Sequence, residues 1–241
     1  MKSLRSLELV DYVKTHKRCS LEELMQHFGI SSATIHRDVA ELVEREVFQR
    51  VRGGVVFIDK AGAESIRPPS PSSYTERRAV NASEKEKIAR LALSRIVEGD
   101  ILFLDSSTTV AHLAEELART AFSSLTIITN SIAVMQHFRH YPAHYVKIGL
   151  GGGFDPQLNS FLGQSTFREL ERLTITKAFV SCFGIDDHIA TTNHEAQSGL
   201  VARVLEKASR RFLLADKTKF GRTGLYRLAA RGAFDEILSD S

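Results

Sequence analysis

The sequence has no tryptophan, two cysteines among 241 residues, and five prolines, three of them in one short stretch. Two thiols, Cys19 and Cys182, cannot build a disulfide framework and lack the paired spacing of a structural zinc site, so both are expected as buried thiols and no metal is expected. No apolar run approaches the roughly 20 residues of a membrane-spanning helix. Met1 to Val10 carries neither an apolar signal core nor a small-residue cleavage site, so a cytoplasmic chain with no membrane partner is expected. There is no internal repeat, no phosphate loop of the Gly-x-x-x-x-Gly-Lys type, and His194-Glu195 lacks the second histidine of a His-Glu-x-x-His zinc site. What is present is 43% hydrophobic and 25% charged residues, which excludes global disorder and allows a sizeable core. The 32 basic and 29 acidic residues leave a formal net charge of only +3. Clustering matters more: Arg203 to Arg231 holds nine Lys or Arg against Glu206 and Asp216, an excess that faces either an anionic ligand or water.

The stretch Ile66 to Ser73, Ile-Arg-Pro-Pro-Ser-Pro-Ser-Ser, has nothing apolar after its first residue and reads as a linker. Before it, apolar residues recur at helical spacing; after it, β-branched runs alternate with helical patterns. The division predicts a small helical domain over 1–60, a linker over 61–76 and an α/β domain over 77–241.

Leu4, Leu7, Val10 and Val13 form an apolar stripe predicting a first helix that ends near Thr15 to Arg18. Ser20-Leu21-Glu22-Glu23 is a capping box, in which the serine hydroxyl takes an orphan backbone N–H and the glutamate reaches back to the cap. Gly29 closes this second helix. Ser31 or Ser32 caps a third, with Ile35, Val39, Leu42 and Val43 on its core face. Ala33, Arg37, Ala40, Glu41 and Glu44 point the other way, flanked by Thr34 and His36. Small and hydrogen-bonding residues at a helix start suit a recognition helix, whose first turn meets base edges in a major groove while the cap and Arg37 meet phosphates. Val47 to Phe57 alternates around Gly53-Gly54, the pattern of a two-stranded hairpin or wing, in which Arg50 and Arg52 share a face for phosphate or minor groove. The expected contacts to double-stranded DNA are Ser31, Ser32, Ala33, Thr34, His36, Arg37, Arg50 and Arg52. A three-helix module that binds only protein is the alternative, and it predicts no salt-dependent DNA binding.

Phe28-Gly29-Ile30-Ser31-Ser32-Ala33-Thr34-Ile35-His36-Arg37-Asp38-Val39, followed by Arg50-Val51-Arg52-Gly53-Gly54, resembles the winged helix–turn–helix of the DeoR-type bacterial sugar-operon repressors. His36 stands where those proteins have an arginine, and Glu46 where a glycine is usual.

Beyond the linker, a polar arm and a helix (Glu84 to Val97) lead into five β-rich runs: Ile101–Leu104, Leu125–Thr129, Val146–Ile148, Ala178–Val180 and Phe212–Ala215. Helical patterns near Val110–Leu117, Ile132–Phe138, Thr166–Leu173 and Leu200–Ser209 separate most of them. This alternation predicts a parallel sheet covered on both faces, and such sheets bind ligands beyond the carboxyl ends of their strands. Every run is followed by a polar or glycine-rich segment. The Ser106 to Thr109 hydroxyls and first-turn N–H groups suit a phosphate at the positive end of a helix, and Lys219 suits its charge. Asp105 and Asp186 can accept from sugar hydroxyls, Asn130 can donate and accept, and the Gly151 to Gly153 run lets backbone approach a ligand. Each segment alone is equally a helix cap, a turn or a bend. Their joint placement marks a candidate site of Asp105, Ser106, Ser107, Thr108, Thr109, Asn130, Ser131, Gly151, Gly152, Gly184, Asp186 and Lys219.

The resemblance continues here. Asp105 to Thr109, Thr129-Asn130-Ser131, Gly151-Gly152, Phe183 to Asp186 and Ala215 to Gly221 look like successive landmarks of the DeoR-type effector domain, with Ser107 where a glycine is usual. It implies a fold similar to ribose-5-phosphate isomerases, a phosphorylated sugar as effector, and a repressor of a carbohydrate operon; no catalytic group and no cofactor is expected of it. Helix–turn–helix proteins place two recognition helices about one DNA turn apart, so a homodimer or higher oligomer is expected. The rival is an enzyme of the same fold, isomerising or deaminating a sugar phosphate through Asp105, Asp186, Glu195 or Lys219. Such an enzyme gains nothing obvious from a winged helix.

Overall fold

The computed structural model describes residues 2–16, 18–44, 47–51, 54–57 and 73–240, and the chain divides into two compact units, Met1–Ser70 and Pro71–Ser241. Residues 61–72 of the expected linker, with Glu46, Arg52 and Gly53, lie outside the described residues.

The first unit runs α1 (Lys2–His16), β1 (Arg18–Cys19), α2 (Leu21–Phe28), α3 (Ser32–Glu44), β2 (Phe48–Val51) and β3 (Gly54–Phe57). The capping box forms: Ser20 Oγ accepts from the Glu23 N–H, and the Glu23 carboxylate accepts from the Ser20 N–H at 2.6 Å. Gly29 ends α2 in the left-handed region at φ 61°, its N–H donating to the Met25 carbonyl. Leu9 and Val13 bury α1 against Leu24, Ile35, Val39 and Phe48, with Val10 only partly buried; the side chains of Leu4 and Leu7 lie outside the described residues. The wing pairs Val51 with Gly54, and a third strand joins it, Cys19 pairing with Val55 and Arg18 with Val56. Two residues carry no period, so only this pairing defines β1.

The second unit opens on α4 (Tyr74–Ala79) and α5 (Ala82–Leu93), then β4 (Ile101–Leu104), α6 (Thr108–Leu117), β5 (Thr126–Thr129), α7 (Ile132–Met135) and β6 (Val146–Gly149). It continues with β7 (Gly153–Asp155), β8 (Ser160–Leu162), α8 (Gln164–Glu171), β9 (Ile175–Ser181), β10 (Gly184–Ile185), β11 (Ile189–Thr192), α9 (Glu195–Lys207), β12 (Ala208–Leu214), β13 (Tyr226–Ala230) and β14 (Glu236–Leu238). Six strands form one parallel sheet in the order β14-β12-β9-β4-β5-β6. Alternate residues feed two cores: Leu102, Leu104, Ile127, Phe179 and Phe212 meet α5 and α6, while Phe103, Ile128, Val180 and Leu213 meet the face that α9 covers.

Several expectations shift. The main sheet has a sixth strand, β14. An antiparallel hairpin, β7–β8, follows the Gly151 run, and β10-β11-β13 form a small antiparallel sheet of their own. The polar arm is helix α4, capped by a second box in which Ser73 and Glu76 play the parts of Ser20 and Glu23, so residues 73–76 of the expected linker belong to the second folded unit. Helix α7 stops at Met135 because the next bonds, His137 N–H to Val134 and Phe138 N–H to Met135, tighten to the i to i−3 kind. Cys19 and Cys182 are free, buried thiols, and among the described residues no helix is long and apolar enough to cross a membrane.

Candidate functional site

On α3, Ile35, Val39 and Leu42 are buried, whereas Ser31, Ser32, Ala33, His36 and Arg37 are exposed on one continuous surface. Ser31 is the cap: its carbonyl accepts from the Thr34 and Ile35 N–H groups, and its hydroxyl lies 2.9 Å from Thr34 Oγ1, which fixes both hydroxyls at the helix start. Arg50 is exposed on β2 opposite Val55; Arg52 lies outside the described residues. A helix start lined with small side chains beside a cationic strand is the geometry of major-groove reading with backbone support. Arg37→Ala is expected to weaken DNA binding at all sequences and to flatten the plot of log affinity against log salt by about 0.9 for each phosphate that is no longer neutralised. An unchanged slope in salt-titrated gel shifts would remove Arg37 from the phosphate-binding set.

The parallel strands of the second unit place their carboxyl ends along one edge. At its middle, Asp105 is fully buried and supports the two neighbouring tips, accepting from the Ser107 N–H at 2.8 Å and the Ser181 N–H at 2.9 Å. Burial raises its pKa against the lowering effect of these bonds and of Lys219. Each oxygen thereby braces one neighbouring loop, a supporting role that the sequence did not suggest. Ser107 caps α6 by accepting from the Val110 N–H, which leaves Thr108 and Thr109 on the first turn. Lys219 comes from the turn after β12 and donates to Ser181 Oγ at 2.7 Å, with Asp216 Oδ2 at 3.9 Å. Burial opposes ionisation of Asp216 but is outweighed by the Thr218 hydroxyl, Lys219 and Asn81, and its pKa falls. The buried Lys85 donates to the carbonyls of Arg77 and Val80; burial first, then repulsion by Lys219, pulls it down to about 8.

On the next strand, Thr129 Oγ1 donates to the Leu104 carbonyl, Asn130 Nδ2 donates to the Phe161 carbonyl, and Ser131 caps α7. Asp105, Ser106 to Thr109, Asn130, Ser131 and Lys219 thus sit on the tips of adjoining strands, β12, β4 and β5, around Ser181 at the end of β9. Four expected residues do not join them in the expected way. A Cβ at Gly152 would lie 2.3 Å from Thr166 Oγ1 and 2.6 Å from the Leu162 carbonyl, and one at Gly184 would lie 2.2 Å from the Arg222 carbonyl. These glycines admit the protein's own chain. Gly151 donates to Glu169 and accepts from Thr166. Asp186 closes the β10–β11 turn by accepting from His188 and Ile189, a bonding that lowers its pKa. Part of the basic run from Arg203 is taken up by partners: Arg203 and Lys207 on Glu171, Arg211 on Asp235, and Arg231 on the Asp186 carbonyl.

Sequence reasoning missed Tyr74, Asn81, Lys85, Ser160 and Ser181. The Ser-x-x-Glu spacing at Ser73 would have located α4, and with it Tyr74. Nothing local marks Ser181, which matters only because Asp105 and Lys219 meet at it.

A family model described as a DeoR-like helix-turn-helix domain matches residues 5–61, and one described as a DeoR C terminal sensor domain matches residues 80–241. The chain is 32% identical to the HTH-type transcriptional regulator IolR of Bacillus subtilis over 95% of its own length and 87% of that protein. It is 30% identical to the HTH-type transcriptional repressor GlcR of the same species, over 98% of this chain and 87% of the relative. Among solved structures, ribose 5-phosphate isomerase A of Methanocaldococcus jannaschii is similar at a TM-score of 0.41 and 17% identity, covering 58% of this chain and 55% of that one. The curated relatives are regulators and not enzymes. A DNA-reading head and a small-molecule sensor are therefore joined in one chain, which belongs to the DeoR family of transcriptional regulators.

Proposed function

We propose that the protein represses a carbohydrate operon by holding double-stranded operator DNA through α3 and the wing, and that a phosphorylated sugar at the tips of β12, β9, β4 and β5 releases it. The observation that carries the reading is Lys219, its side chain 15% exposed, hydrogen-bonded to Ser181 and acting on Asp105 at the foot of α6. Lys219 and Arg77 repel Lys85 here and Asp216 attracts it, while burial disfavours the charge of Asp105. Lys219, added to the positive end of α6, favours an anion there. Two copies of the chain would supply two recognition helices for half-sites one DNA turn apart, so the working form is a homodimer or a larger oligomer. Release requires the effector to favour an arrangement whose recognition helices no longer match the half-sites, because equal affinity for both arrangements shifts nothing.

A panel of sugar phosphates, their parent sugars and inorganic phosphate, tested by thermal shift and gel shift, checks the reading. A genuine effector at a hundred times its Kd stabilises by about 2.7 kcal/mol, which raises Tm by several degrees, and it frees the operator. Stabilisation by an unphosphorylated sugar alone would overturn the phosphate assignment, and a sugar phosphate that tightens the DNA complex would overturn release.

A further inference from the structure

We propose that helix α4 is part of the effector site and that the Tyr74 hydroxyl contacts the bound ligand, selecting one that carries neighbouring hydroxyl groups beside its phosphate. The inference rests on the effector reading above and adds to it the part of the ligand that Lys219 does not hold. Among the described residues, the buried Tyr74 OH, Thr109 Oγ1, Asn130 Oδ1 and Ser160 Oγ have no hydrogen-bond partner, and the same holds for both ring nitrogens of His112 on α6. Tyr74, Thr109, Asn130 and Ser160 are 9%, 0%, 2% and 0% exposed. The Tyr74 ring packs on Ala111 and Ala133, so α4 lies over the opening turns of α6 and α7, and Thr108 Oγ1 reaches the Arg77 carbonyl of α4 at 3.5 Å. Thr109 stands on that turn of α6. Ser160 bridges to Ser131 at the start of α7, and Asn130 is held beside it through Phe161.

Buried polar groups are normally paired, so these atoms need partners, which a ligand bound beside Lys219 would supply. Their chemistry defines that ligand. Asn130 Nδ2 is committed to Phe161, so Oδ1 offers only acceptance and needs a hydroxyl donor. Tyr74, Thr109 and Ser160 can each donate or accept, which matches carbon-borne hydroxyls, and it is the acceptor-only Asn130 Oδ1 that disfavours a second phosphate. Burial pushes the Tyr74 phenol up to about 12, so its proton stays on and is available to donate. Because Tyr74 belongs to α4, a ligand that bonds its hydroxyl also holds α4 down.

Tyr74→Phe in the full chain tests this by calorimetric titration with inorganic phosphate, glycerol 3-phosphate, ribose 5-phosphate and glucose 6-phosphate. The tightest sugar phosphate is expected to weaken tenfold or more, while inorganic phosphate affinity, operator affinity and the ligand-free Tm do not fall, since phenylalanine keeps the ring packing and removes an unpaired hydroxyl. Ser160→Ala is expected to do the same from the opposite side of the site, and it carries the test if the first variant fails to fold. Sugar-phosphate affinity within twofold of the parent in a folded Tyr74→Phe protein, or in Ser160→Ala where the first variant does not fold, would overturn the proposal while leaving the effector reading intact. A parent protein that binds none of the four probes would overturn both.

Discussion

Replacing Lys219 by alanine together with Thr108 by valine leaves operator affinity at its starting value and abolishes release by the effector. In the proposed site the two side chains would meet one anion from different elements, Lys219 from the turn after β12 and Thr108 from the first turn of α6. A charge-assisted bond contributes about 1.5–3 kcal/mol, and a neutral one about 1, so removing both weakens the effector by roughly a hundredfold at about 1.4 kcal/mol per tenfold. The fold tolerates the change. Without Lys219, Ser181 Oγ still donates to the Leu214 carbonyl at 2.6 Å, and Asp216 keeps its bonds from Thr218 and Asn81. Gel shifts titrated with a binding sugar phosphate read the outcome. A failure to bind DNA in the absence of effector would make these residues structural, and undiminished release would move the anion site elsewhere.

Gly54→Ala is expected to disable DNA binding by a wholly different route. A Cβ at this position would stand 2.1 Å from the Cys19 carbonyl oxygen, 2.8 Å from its carbon and 2.9 Å from Ser20 Cα, all of them backbone atoms that cannot rotate aside. Relief must come from opening β1 away from β3, which exposes the buried Cys19 and Val55 and tilts the strand carrying Arg50. Overpacking in a tight site costs about 1–3 kcal/mol, and an immovable neighbour places this one at the upper end. Gly29→Ala is the control. Its Cβ meets nothing within 4 Å, so only the left-handed backbone at φ 61° resists, at about 1–2 kcal/mol. Thermal unfolding and operator titration of the two variants should rank Gly54→Ala well below Gly29→Ala, with effector-induced stabilisation unaffected in both. Equal losses would mean that β1 and the wing separate without consequence.

Much of this molecule was legible because its first unit obeys local rules. Ser20, Glu23 and Gly29 delimit α2 by cap chemistry alone, and the period of Ile35, Val39 and Leu42 separates the inner face of α3 from the exposed one. Strand positions in the second unit were legible because sheets covered on both faces need continuous apolar runs. What escaped depends on distant partners. β1 exists through Val55 and Val56, and β14 through Phe212 to Leu214. Gly152 and Gly184 read as ligand loops, yet their missing side chains make room for Leu162 and Arg222 of the same chain. Asp105 illustrates the limit most sharply: a strand-end aspartate suggests a ligand contact, and only the position of Ser181 reveals that its oxygens brace two loops.

The two-faced sheet has a consequence for where inducibility can be lost. Sliding β9 by a single residue would exchange Phe179 and Val180 between opposite cores, so the floor of the sensor has no neighbouring register to creep into. On the proposed reading, the signal is expected to leave through the roof, meaning the turns and short helices resting on the strand tips. Super-repressor alleles from a random screen should therefore gather in 73–85 and 216–222, while strand alleles should mostly deplete the protein from the cell.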